Sequence, residues 1–333
     1  MITDTKEVFF DEINKLYQAK QPFFFLTDYD GKQMEVTAID EKEEGLGNSI
    51  RFRAPGMCFP KKQPAHLIHP DNPLIWHKHP ISFAAYKKSF EIVQQGLQQG
   101  NSYLVNLTCS TPVDTNYSLA DLYELGQGKY KLLYRDWFVH FSPEPFIRIE
   151  NDRISSYPMK GTIEDSEPDA ADRLRLSEKE IAEQYTIVDL IRNDLHQVAA
   201  GVEVASFRYL EKLKTNQKNL YTVSSHITGT LRPAYLHNPG DVLKAMLPAG
   251  SITGAPKAAT IKIIRQAETH RRNFYTGVWG YYNGQILDSC VIIRYLESTP
   301  EGLIFKSGGG ITSLSEAETE YHEMITKVYV PLP

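Results

Sequence analysis

Strand-forming segments in this chain follow one another in runs, and helix-forming segments interrupt those runs in blocks. That order excludes a strict alternation of parallel strands with crossover helices and predicts an α+β chain. Residues 23–26, 102–108, 137–141, 146–149, 153–157, 278–282, 289–297 and 303–306 read as strands. Helices are expected at 82–99, ended by Gly100, and at 241–247, 257–267 and 315–329, the last stopped by Pro331. The firmest begins at Ser177, with Glu180 completing a capping-box pattern. Its apolar residues Ile181, Tyr185, Val188, Ile191, Leu195 and Val198 step by three and four, which is one helix face. The Pro- and His-rich stretch 59–80 reads as a loop. No later linker divides the chain, so 1–333 reads as one domain, with a short first part over 1–80 and a core over 83–330.

Composition narrows the class. A chain of 333 residues with 41% hydrophobic and 23% charged residues is globular. Its 36 basic and 41 acidic residues leave a net charge of −5, which removes nucleic acid as the default partner. Cys58, Cys109 and Cys290 are too few and too scattered for a disulfide framework or a Cys-x-x-Cys metal site. No apolar run approaches membrane-spanning length and the first residues lack a signal-peptide pattern, so a reduced, cytoplasmic protein away from membranes is expected.

Several groups can do chemistry. Glu180 and Glu183 lie three apart on one helix, and Glu320 and Glu323 three apart on another. Four such carboxylates without Cys or His suit a hard cation, Mg²⁺ first. The same residues can instead serve their own helices, Glu180 as a cap and Glu323 as a partner of Lys327. Lys160, between Pro158 and Gly161, is held on stiff backbone as a nucleophilic amine would be, or as an ordinary turn lysine. Glu144, between two strands, is either a general acid or an exposed turn carboxylate. Gly308, Gly309 and Gly310 follow a strand and can form an anion-binding nest or a plain turn. Thr253 and Gly254, entering the 257–267 helix, offer a second anion site through its free amides. The neighbouring Lys257 does not make this a phosphate loop, because Ala258 stands where Ser or Thr is needed. Arg294 interrupts an apolar strand and needs either an internal carboxylate or a bound one. Together these features suggest a small substrate with more than one carboxylate.

The same residues resemble the family of chorismate-utilising enzymes, which comprises anthranilate, aminodeoxychorismate, isochorismate and salicylate synthases. The resemblance spans about residues 83–330. It is carried by Pro158-Met159-Lys160-Gly161-Thr162, by Ile187 to Leu195, by Ser251-Ile252-Thr253-Gly254-Ala255-Pro256-Lys257 and by Gly280-Tyr281 with Asp288 and Arg294. Gly308-Gly309-Gly310-Ile311 and Glu320-Tyr321-His322-Glu323 with Lys327 complete it. It implies an orthogonal β-sandwich with helices outside and the site at its centre. Glu180, Glu183, Glu320 and Glu323 would hold Mg²⁺, which with the amides of Gly308 to Gly310 would hold the ring carboxylate of chorismate. Arg294 and Tyr281 fall where the family binds the enolpyruvyl carboxylate, and Glu144 where it protonates the departing C4 hydroxyl.

Lys160 stands where anthranilate synthases are similar but carry Ala. It resembles the lysine of aminodeoxychorismate synthases, which adds to C2 before ammonia attacks C4. Isochorismate and salicylate synthases use a lysine at the position held here by Leu104. The resemblance further implies a separate glutamine amidotransferase subunit as ammonia source, and a place in p-aminobenzoate and folate synthesis. Anthranilate synthesis and a catalytically silent, chorismate- or glutaminase-binding subunit stand as alternatives. Gln184, His196 and Thr222 depart from the family pattern, with His226 displaced four residues from Thr222. The Leu-Leu-Glu-Ser element that binds tryptophan in related enzymes is not visible, so no tryptophan site is expected.

Overall fold

The computed structural model describes residues 6–40, 50–61, 73–213 and 220–332. Part of the stretch expected as a loop over 59–80, residues 62–72, lies outside the described residues. The chain builds two antiparallel sheets, in keeping with the α+β expectation. One runs in the order β11 (Met159–Glu164), β13 (Leu220–Leu231), β10 (Arg153–Ser156), β9 (Pro145–Glu150), β16 (Ile286–Val291), β15 (Val278–Tyr282), β1 (Phe23–Thr27) and β2 (Met34–Ala38). Its β12 (Ala199–Leu213) pairs with β13. The other runs β14 (Gly254–Ala255), β6 (Leu104–Thr115), β18 (Gly302–Ile311), β17 (Tyr295–Thr299), β8 (Phe138–Ser142), β7 (Tyr130–Tyr134), β3 (Ile50–Ala54) and β4 (Met57–Phe59). A short β5 (Trp76–Lys78) adds to β6 inside the stretch expected as loop.

Strand β1 shows how alternation builds the layers. Phe24 and Leu26 enter a core shared with Phe52, Leu132 and Phe138 of the second sheet. Phe23 and Phe25 point the other way, into a core with α1 (Lys6–Gln18), α5 (Glu178–Val198) and α6 (Pro239–Met246). All four are fully buried, and each such side chain contributes about 1.5–3 kcal/mol. On the second sheet's outer face, α2 (Phe83–Gln98), α7 (Lys257–Ala267) and α8 (Ala317–Thr326) pack through Tyr86, Phe90, Ile263 and Met324. A separate cluster there holds α3 (Leu119–Leu125) through Leu122 and Tyr123, while α4 (Ala170–Leu176) precedes α5. Among the described residues no helix is long and apolar enough to cross a membrane.

Two strands differ from the sequence reading in ways that shape the site. The segment expected as one strand over 289–297 breaks between β16 and β17, and Arg294 sits in the break with φ of 50°. The strand expected to end at Lys306 continues to Ile311, so Gly308, Gly309 and Gly310 are extended and pair with Thr108, Leu107 and Asn106. They form no nest. Pairing along the whole of β6 overrides the low strand propensity of glycine.

Candidate active site

A cavity of about 200 Å³ takes its walls from both sheets. Lys160 on β11 and Glu144, in the turn between β8 and β9, supply one side. Arg294, Lys327 and the glycines of β18 supply the other. The first sheet's strand ends and the long β6–β18 pair therefore meet around one space.

Lys160 is held by backbone, as its neighbours suggest. The pairing of β11 with β13 shifts register between Lys160 and Thr162, and Gly161 turns this bulge with φ of 68°. A Cβ on Gly161 would stand 2.7 Å from Leu174 Cδ1 and 2.9 Å from Glu180 Oε2. Thr222 donates its hydroxyl to the Gly161 carbonyl at 2.9 Å, and Gln184 donates to the Pro158 carbonyl at 3.3 Å. Both departures from the family pattern thus clamp the segment that carries Lys160. His226 lies apart, stacked on Tyr157 with ring centroids 4.6 Å away. His196 sits in the exposed last turn of α5, its carbonyl taken by Arg232.

Glu144 borders the cavity with its backbone fixed on both sides. Its N–H donates to Ser142 Oγ at 3.1 Å, and its carbonyl accepts from the Val291 N–H at 3.2 Å. Burial pushes its carboxyl up from the ordinary glutamate range. A hydrogen bond from Ser251 and the charges of Lys160 and Lys327 pull the other way and do not cancel the rise. A carboxyl held toward its protonated form in a closed space is suited to donate a proton.

The opposite wall is cationic. No carboxylate of the described residues pairs with Arg294, so the internal partner open to it in the sequence is not there. Its guanidinium lies 5.3 Å from the Tyr329 ring centroid instead. Lys327 bonds Glu323 at 2.8 Å and the Gly308 carbonyl at 3.0 Å. A Cβ on Gly308 would stand 2.3 Å from the Leu107 carbonyl oxygen, so only glycine lets the strands close here. Lysines 160 and 327 with Arg294 around one small cavity favour an anion, and more than one carboxylate can be met at once.

The four glutamates flank this space in their two pairs. Glu183 lies 3.8 Å from Lys160, and Glu180 lies against Gly161. Across the cavity, Glu320 and Glu323 border Gly309, and Glu320 accepts from Ser315 at 2.8 Å. Among the described residues no three His, Cys, Asp or Glu side chains stand close enough together to hold a metal. As a donor set, oxygen-only carboxylates beside an anion-binding wall fit Mg²⁺ in kind.

Three residues expected at the site are elsewhere. Tyr281 is buried in the core between the sheets and donates to the Pro55 carbonyl. Only the family resemblance places it at the enolpyruvyl carboxylate, and the alternation of β15 turns it into the core instead. Thr253 is buried with its hydroxyl on the Ala249 carbonyl at 2.9 Å. Gly254 pairs with β6 and faces an outer groove of about 1170 Å³ along α5. That groove is larger but lacks Lys160, Glu144 and Arg294; its buried ion pair, Lys257 to Asp194 at 2.8 Å, joins α7 to α5. In their place the cavity has Ser251, two residues before Thr253, and Tyr275, in the turn before β15. The signal for Tyr275 was the polar break Asn273 and Thr276 around two aromatic residues, which marks a turn at the edge of a core.

A sequence profile of the family described as chorismate binding enzyme matches residues 8–333. An uncharacterized PabA-like protein of Pasteurella multocida is 46% identical over 325 residues, covering 97% of this chain and 98% of that one. Aminodeoxychorismate synthase component 1 of Klebsiella aerogenes is 34% identical over 264 residues, covering 74% of this chain and 57% of that one. Among solved structures, anthranilate synthase component I from Streptococcus pneumoniae superposes with a TM-score of 0.64 at 26% identity, covering 77% of this chain and 59% of that one. The fold is the one the sequence resemblance implied.

Proposed function

This chain belongs to the chorismate-binding enzymes, and on that premise we propose that it is an aminodeoxychorismate synthase component I, with Lys160 as its nucleophile. The observation that carries the reading is a lysine at position 160, on the wall of the same cavity as Glu144. The neutral amine of Lys160 attacks C2 of chorismate, both ring double bonds shift by one position toward C4, and the C4 hydroxyl departs with its electron pair. Glu144 gives that oxygen its proton, so it leaves as water. Ammonia then attacks C4, both double bonds shift back, and Lys160 departs with the C2–N electron pair. The surplus proton on the new amine passes to the Glu144 carboxylate, which restores the starting state. The product is 4-amino-4-deoxychorismate, a precursor of p-aminobenzoate and folate.

Arg294 and Tyr275 receive the enolpyruvyl carboxylate in this reading, and Lys327 helps hold the ring. Glu180, Glu183, Glu320 and Glu323 would hold Mg²⁺, which supplies counter-charge for the ring carboxylate. Ammonia would come from a separate glutamine amidotransferase subunit.

The test incubates the chain with chorismate, Mg²⁺ and an ammonium salt and resolves products by mass spectrometry. 4-Amino-4-deoxychorismate is expected, and Lys160→Ala should abolish it while chorismate still binds by calorimetry. Turnover that survives Lys160→Ala removes the lysine from the mechanism. Anthranilate as product would move the chain to the other branch, and bound but unconverted chorismate would favour a silent subunit.

A further inference from the structure

Behind the cavity, and not itself part of its lining, lies the most heavily bonded side chain of the region. Arg272 is 4% exposed, and its guanidinium lies over the Tyr29 ring at 4.4 Å from the centroid. It donates to the Ile252 carbonyl at 3.0 Å, to the Asn106 carbonyl at 2.6 Å and to Thr276 Oγ1 at 3.3 Å. Glu268 takes the remaining donors in a fork, at 2.9 Å from Nε and 2.7 Å from the terminal nitrogen. The Arg272 carbonyl in turn accepts from Lys306, whose ammonium is paired with Glu297 at 2.6 Å. Asn106, Ile252, Thr276 and Lys306 all border the cavity and come from four separate segments.

We propose that Arg272 is a positioning residue that fixes three walls of the active-site cavity from behind, through its hydrogen bonds to Asn106, Ile252 and Thr276. Ile252 adjoins Ser251, the hydroxyl that bonds Glu144. Thr276 adjoins Tyr275 on the wall shared with Arg294. Through Glu268 the clamp reaches further: Glu268 accepts the Thr108 N–H at 2.9 Å and its hydroxyl at 2.8 Å, and Thr108 is paired with Gly308 of the glycine strand. Only a planar guanidinium presents five donors in one fixed fork, so a lysine cannot reproduce the set. A buried ion pair is a poor device for stability alone, because desolvating both charges consumes most of their attraction. Here every acceptor besides Glu268 belongs to a wall of the cavity, which is what a positioning role requires and a stabilising role does not.

The inference rests on the reading of this cavity as the place where chorismate reacts. It is tested with Arg272→Lys, which keeps the charge opposite Glu268, and with Glu268→Gln, which keeps the shape but loosens the fork. Steady-state kinetics, calorimetric unfolding and amide hydrogen exchange are measured on all three proteins. Displacing catalytic groups by about 1 Å costs on the order of 100-fold, so kcat should fall by roughly that factor in Arg272→Lys while KM for chorismate stays within about fivefold. Exchange should quicken at Asn106 and at 251–253 while β1 and β15 keep their protection. Unchanged kcat, or protection lost evenly across both sheets, overturns the proposal. If Arg272→Lys does not fold, the same readouts on Glu268→Gln decide. If the unsubstituted chain converts no chorismate, the functional reading fails on its own. The exchange data then decide the clamp: local release upholds it, and unchanged rates at 251–253 refute it.

Discussion

Replacing Gly161 by Ala tests whether the bulge before α4 presents Lys160. With φ of 68°, Gly161 lies in the left-handed region, where a Cβ costs roughly 1–2 kcal/mol. The added carbon also meets Leu174 Cδ1 at 2.7 Å and Glu180 Oε2 at 2.9 Å. Both neighbours are side-chain ends that can withdraw, so a total near 2–3 kcal/mol is reasonable. For a chain of 333 residues the unfolding entropy is about 0.7 kcal/mol per degree, so Tm should fall by about 3–4 °C. The fold survives that loss. Chemistry should suffer more, because relief comes from moving the strand that carries Lys160 or the helix that carries Glu180, and a shift near 1 Å costs on the order of 100-fold in rate. Calorimetry gives the first number and ammonia-dependent turnover of chorismate the second. A variant that loses its 3–4 °C yet turns over within twofold of the original would refute the idea that this bulge positions the lysine.

Other outcomes follow from the same geometry. If protonated Glu144 is the acid, kcat should fall as pH rises through its raised pKa, and Glu144→Gln should remove both the rate and that limb of the profile. A carboxyl whose pKa is raised on folding costs stability as pH climbs from its ordinary value to the raised one, so Glu144→Gln should also gain Tm relative to the original across that window and level off above it, read by paired thermal melts. Arg294→Ala should weaken chorismate binding by about 10- to 100-fold in calorimetry, the worth of one charged hydrogen-bonding pair. Lys257→Ala leaves Asp194 buried without its partner and should cost about 3 kcal/mol in chemical denaturation, with little change in KM.

What the sequence disclosed, and what it hid, follows from how far each signal reaches. Helix α5 was legible to within a residue because its cap and its apolar steps are local. Lys160, Glu144 and the two glutamate pairs could be singled out locally, but their spacing left ordinary turn and helix-face roles open, and only the family resemblance assigned them chemistry. The long β12–β13 hairpin was not: charged and polar residues such as Glu203, Arg208 and Glu211 dilute its alternation, and only pairing with its neighbour makes it strand. The glycine run was misjudged for a related reason, because a partner strand about 200 residues earlier in the chain decides its conformation. Tyr281 and Tyr275 show the limit most clearly. They are six positions apart in one aromatic segment, and which of them faces the cavity depends on where β15 starts. Arg272 carried no sequence signal, since two of its three wall contacts, Asn106 and Ile252, lie in other segments of the chain.

Strand β1 pairs residue for residue with β15, with Phe24 opposite Tyr281 and Leu26 opposite Trp279. That partner lies some 250 residues later in the chain, so as synthesis proceeds the edge of this strand away from β2 waits for most of translation before it can be covered. Closing so large a loop makes the topology slow to fold, and the waiting edge is a template for pairing with other chains. At ribosomal speeds of about 5–20 residues per second the delay is on the order of 10–50 seconds. Holdase chaperones, lowered growth temperature and slower induction should therefore govern the yield of this protein more than its final stability does.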